Sequence, residues 1–186
     1  MNRRPLLTFL FVPCVTLGHA QSIEIGKLSA DVKVSSTSNP ESVSLAFHFV
    51  YSAQEDLTIL SRSVITSDDS IAVTILGAEF PSSSSPDGIA CPSPHEITSI
   101  HEGPGSWRPI GKHFENAAGI DLRERFNNLN NILHRCDLVL FWSYRPNLGP
   151  KVQVKRLSGA ITIPAHGPAS APATVVEKIT KSEPVK

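Results

Sequence analysis

Val43-Ser44-Leu45-Ala46-Phe47-His48-Phe49-Val50-Tyr51 is the stretch that decides the fold class. Val43, Leu45, Phe47, Phe49 and Tyr51 take every second position, with Ser44, Ala46 and His48 between them. Successive side chains of an extended strand point to opposite faces. The stretch therefore has one apolar face to bury and one mixed face. Its aromatic and β-branched residues suit a pleated, half-buried surface.

The same period recurs on both sides of it. Leu28, Ala30, Val32 and Val34 alternate with Ser29, Asp31 and Lys33. Ile71, Val73 and Ile75 repeat the pattern, as do Cys136, Leu138, Leu140, Trp142 and Tyr144. Val152-Gln153-Val154 and Leu157 to Ile163 close the series, and Leu57 to Ile65 is a less regular candidate. Ser38-Asn39-Pro40, Ser67-Asp68-Asp69-Ser70 and Asn147-Leu148-Gly149-Pro150 separate the runs as turn-forming breakers. About seven or eight short strands spaced this way predict an all-β, immunoglobulin-like antiparallel sandwich.

One segment departs from period two. Asp121-Leu122-Arg123-Glu124 has the form of a helix start, an acidic cap with Glu three residues on. Leu122, Phe126, Leu129 and Leu133 follow at helical spacing. Asn127, Asn128, Asn130 and Asn131 compete for local backbone hydrogen bonds and limit the helix. The expectation is one short helix that crosses between the sheets and delivers the chain to the strand at Cys136.

The N-terminus sets the compartment. Arg3 and Arg4 precede an apolar run from Leu6 to Leu17, and Gly18-His19-Ala20 supplies the small residues of a cleavage site. This is the three-part form of a secretory signal over 1–20. The run is too short to span a bilayer, which needs roughly 20 apolar residues. Pro13 before Cys14 is the wrong neighbour for a lipoprotein site. The expected product is exported: extracellular, or periplasmic in a Gram-negative source. The sandwich is expected over 21–163. The segment 164–186, rich in Pro, Ala and Lys, is expected to be a flexible tail.

The whole chain has 17 basic and 17 acidic residues, so loss of Arg3 and Arg4 leaves it slightly acidic. The remaining Lys and Arg are scattered, and Lys151 to Arg156 is only a modest cluster. No basic stripe argues for nucleic acid. Export leaves Cys91 and Cys136, the number that can pair in an oxidising compartment. Neither belongs to a C-x-x-C pair, which disfavours redox or metal roles.

Catalytic motifs are missing from the sequence. It contains no G-x-S-x-G, no H-E-x-x-H, no phosphate-binding loop and no dinucleotide glycine pattern. Neither an enzyme nor a cofactor is expected. His95-Glu96, His101-Glu102 and His113 are the one constellation that suits zinc or copper. His95 and His101 would stand about 20 Å apart on an extended strand, so a shared ion requires a bend. Exposed loop and strand-edge residues account for them more simply.

Trp142 and Tyr144 share the face of Leu138 and Leu140 and are expected in the core. Trp107 follows Gly103-Pro104-Gly105-Ser106 and is expected on the surface, where it and Arg108 are candidate binding residues. Pro81 to Pro94 is a Ser- and Pro-rich loop, which a Cys91–Cys136 bond would tether.

Val43–Tyr51, Glu55-Asp56-Leu57-Thr58-Ile59-Leu60, Gly105-Ser106-Trp107 and Ile120-Asp121-Leu122 fall in an order that resembles the N-terminal β-sandwich domain of deuterolysin-type (peptidyl-Lys) metallopeptidases. The resemblance covers most of 22–163. It implies a stand-alone sandwich without peptidase activity, because the zinc domain and its H-E-x-x-H have no counterpart in the sequence. It assigns no functional residue. The expected function is a non-catalytic binding or interaction module for a protein or glycan. The alternatives are a proteinase inhibitor presenting the 81–94 loop, and a metal-binding protein or enzyme-associated domain using His95, His101 and His113.

Overall fold

The computed structural model describes residues 21–36, 43–66, 73–81, 91, 105–134, 136–165 and 173–183. Among the described residues, eight strands form two antiparallel sheets. The strands are β1 (Gln21–Ser36), β2 (Val43–Leu60), β3 (Val73–Pro81), β4 (Trp107–Asp121), β5 (Cys136–Tyr144), β6 (Val152–Val154), β7 (Leu157–Ile163) and β8 (Ala173–Glu183). The larger sheet has the order β4-β2-β1-β8-β6 and the smaller one β3-β5-β7. The chain is thus an all-β sandwich.

Period-two runs place their apolar faces between the sheets. Leu45, Phe47, Phe49 and Tyr51 of β2 face Leu138, Leu140, Trp142 and Tyr144 of β5, and all eight are at most 1% exposed. The Phe47 and Trp142 rings meet edge-on at 6.1 Å, and Phe49 lies 4.2 Å from Tyr144. Trp142 and Tyr144 therefore belong to the core, as their alternation predicts. Each such side chain contributes about 1.5–3 kcal/mol through burial.

The chain passes from the large sheet to the small one through α1 (Leu122–Arg125) and α2 (Leu129–Leu133). Asp121 caps the first, its carboxylate accepting from the Arg123 N–H at 2.9 Å. Leu122, Phe126, Leu129 and Ile132 are buried. The expected single helix is two short ones, because Phe126 takes extended φ and ψ and interrupts it. Cys91 and Cys136 are bonded, with their Cα atoms 6.0 Å apart. In the chain-entropy picture a loop of this length contributes about 4 kcal/mol.

Two departures from the sequence reading matter for the surface. The segment expected as a flexible tail over 164–186 contains β8. That strand pairs with β1 from Gln21↔Glu183 to Val32↔Ala173, and with β6 from Val152↔Lys181 to Val154↔Ile179. The core therefore extends past Ile163, and Ile179 is fully buried. A backbone flanked by strands on both sides gains order from ladder hydrogen bonds even where its side chains bury little. The second departure is β4, an edge strand that no alternation marks. Its Ile110 and Ile120 are buried, while most positions between them are exposed or half-exposed.

Candidate functional site

The outer face of the small sheet has three complete cross-strand rows, and beyond them Asp137 of β5 lies on the same face, its carboxylate accepting from the Ala165 N–H at 2.9 Å. Thr74, Ser143 and Ser158 form the first, Leu76, Phe141 and Ala160 the second, and Ala78, Val139 and Thr162 the third. Alternation dictates this set: the inward partners Val73, Ile75, Leu140, Trp142 and Ile161 are buried, so the residues between them face outward. None of the nine is charged. Leu76 is 53% exposed and Phe141 47%, and the two sit directly opposite each other on neighbouring strands. Nine uncharged positions with two large apolar side chains at their centre are suited to a contact surface.

The buried hydroxyls of Tyr51 and Tyr144 are engaged in structure, whereas the buried Trp142 Nε1 has no hydrogen-bond partner among the described residues. Each hydroxyl has one proton, and Tyr144 donates its own to the Ser63 carbonyl at 2.5 Å. Tyr51 therefore donates to the Tyr144 hydroxyl oxygen, also at 2.5 Å. This relay ties both sheets to the 3-10 turn Ser61–Ser63. Burial pushes both phenols well above the ordinary tyrosine range, so they stay protonated and neutral at physiological pH. Asn116 closes a two-way clasp on Ile65, accepting from its N–H and donating to its carbonyl.

On the solvent side of the large sheet, Glu115 of β4 sits between two imidazoles. Its carboxylate lies 3.1 Å from His113 Nε2 and 3.2 Å from His48 Nε2. His113 first and His48 second hold the Glu115 carboxyl below the usual range. Cross-strand pairing of Ser52 with His113, Val50 with Glu115 and His48 with Ala117 brings these residues to one face. Sequence reading missed His48 and Glu115, since they lie far apart in the chain and nothing marks β4 as the partner of β2. Among the described residues, no group of three His, Cys, Asp or Glu side chains is arranged to hold a metal ion.

Against known families, curated proteins and solved structures, the chain has no match. The site is therefore read from its own residues. Trp107 is exposed at 49%, opposite Leu60 at the start of β4. Arg108 points elsewhere in part, its guanidinium resting 5.5 Å from the Phe114 ring centroid. His95 and His101 lie outside the described residues, as do 82–90 and 92–94 of the candidate inhibitory loop; Pro81 ends β3, and Cys91 tethers the segment to β5. No helix among the described residues is long and apolar enough to cross a membrane.

Proposed function

We propose that the chain is exported and acts as a non-catalytic interaction module, with the outer face of the small sheet as its contact surface. The observation that carries this reading is the Leu76–Phe141 pair, exposed at the centre of nine uncharged positions. Solvating such side chains is unfavourable, and a partner that covers them recovers their burial. The chemistry-bearing groups in the interior add support. Tyr51 and Tyr144 hold one another and the Ser63 carbonyl, which leaves them no substrate to act on.

Export is supported by the signal-like segment 1–20 and by the Cys91–Cys136 bond, a linkage that oxidising compartments maintain. The immunoglobulin-like reading rests on two packed antiparallel sheets with a buried tryptophan. The resemblance to the deuterolysin-type N-terminal sandwich points in the same direction, toward a sandwich separate from peptidase chemistry. The test is affinity capture from the native medium with wild type and Phe141→Lys, matched for folding by near-ultraviolet circular dichroism. A partner recovered by wild type and lost by the variant is the expected result. Equal recovery by both proteins, or none by either, rejects the reading.

A further inference from the structure

A second surface carries a different chemistry. Tyr144 ends β5, and the chain turns through Arg145-Pro146-Asn147-Leu148-Gly149-Pro150 before entering β6. This turn is held firmly. The Leu60 N–H donates to the Asn147 carbonyl and the Asn147 N–H to Ser63 Oγ, both at 3.0 Å. Leu148 is buried, and Gly149 adopts φ 118°, which a side chain would resist. Arg145 is thus presented from a fixed backbone.

Two clefts adjoin Arg145 and share it with Gln153 and Val154. One, of about 310 Å³, is also lined by Lys155, Lys178, Glu177, Ser22 and Thr180. The other, of about 340 Å³, continues along Asn147, Gly149 and Pro150. Lys178 is paired with Glu24 at 2.6 Å. No carboxylate among the described residues forms an ion pair with Arg145 or Lys155, and both are exposed. With Glu24 taken up by Lys178, the first cleft sets the two cations Arg145 and Lys155 against one carboxylate, Glu177, in a chain with no excess of base overall.

We propose that this double cleft binds an acidic oligosaccharide, with Arg145 gripping a carboxylate or sulfate group between two adjacent subsites. The guanidinium fork matches a planar oxyanion in two parallel hydrogen bonds, and Lys155 adds a second unpaired charge. Gln153, Ser22 and Thr180 supply amide and hydroxyl groups of the kind that hydrogen-bond sugar hydroxyls. Together the clefts have the size of a small-ligand site. The surface is independent of the Leu76–Phe141 face, so loss of one reading leaves the other standing.

The test is calorimetric titration of the oxidised protein with a polygalacturonate tetramer, a heparin-derived tetrasaccharide, neutral cellotetraose and sodium sulfate. Binding of one or both acidic oligosaccharides, with none by cellotetraose, is expected, and the pair identifies carboxylate or sulfate as the recognised group. Affinity falls as salt is raised, because exposed charges are screened. Arg145→Gln weakens binding more than tenfold. Arg145→Lys, which keeps the charge but loses the fork, weakens it several-fold. Lys33→Gln, an exposed cation of β1 away from the clefts, leaves it unchanged. The proposal is overturned if neither oligosaccharide binds, if sulfate alone binds as tightly, or if Arg145→Gln matches wild type.

Discussion

Raising the pH interrogates the hydroxyl relay between the sheets. The chain has two tyrosines, and both are 1% exposed. Burial raises Tyr51, and the charge and hydrogen bond of Tyr144 push it the same way. Burial also raises Tyr144, against a smaller lowering effect of the Tyr51 hydrogen bond. In the unfolded chain each phenol ionises near pH 10. Above that pH the folded state binds more protons than the unfolded one, so stability falls as pH rises toward the folded-state values. One unit past the unfolded value, each buried phenol costs about 1.4 kcal/mol, and the pair about 3 kcal/mol. Tyr51→Phe removes one share of this alkaline loss, at a fixed cost of about 1 kcal/mol for the missing hydrogen bond. The assay is urea unfolding at a series of pH values from about 9 to 11, followed by near-ultraviolet circular dichroism and phenolate absorbance. Phenolate should appear in step with loss of the aromatic dichroism, and Tyr51→Phe should show half the wild-type pH dependence. Ionisation near pH 10 with the fold intact, or equal pH dependence in the two proteins, refutes the reasoning.

Two packing predictions use thermal or denaturant melts. Ile179→Ala should cost about 2–5 kcal/mol, the range for truncating a buried aliphatic side chain; a loss under about 0.5 kcal/mol, typical of surface changes, would show that β8 adds little to the core. Gly159→Ala would place a Cβ 2.9 Å from Trp142 Nε1. It should destabilise by about 1–3 kcal/mol through overpacking and shift the tryptophan fluorescence, and Gly159→Ala with an unchanged melting temperature would contradict the close approach.

The central strands were legible because their surroundings force alternation. Leu45 to Tyr51 and Leu138 to Tyr144 each turn one face to the opposing sheet, so every second residue is apolar. β4 escaped because an edge strand has looser demands: Pro109, Gly111, Lys112 and Asn116 are tolerated where little is buried. β8 escaped for another reason. Its inward positions are Val175, Glu177, Ile179 and Lys181, while Val176 faces outward, so polarity follows no period. Lys181 still pays its way by reaching Glu55 at 2.7 Å. Of the candidate surfaces, the exposure of Trp107 followed from its turn. The Leu76–Phe141 face and the Arg145 clefts depend on which strands become neighbours, and pattern within one segment carries no information about that.

The position of β8 has a consequence for the order of events in the cell. Gln21 and Glu183 are hydrogen-bonding neighbours, although almost the whole described chain separates them. While ribosomal synthesis is under way, the seat beside β1 stays vacant until residues 173–183 emerge. Joining such distant partners carries a large loop-closure cost, and topologies of this kind fold slowly. A chain that seals its large sheet last stays pliable through synthesis. Refolding rates should show this directly: a circular permutant that fuses β8 ahead of β1 should fold faster than the native order, at similar final stability.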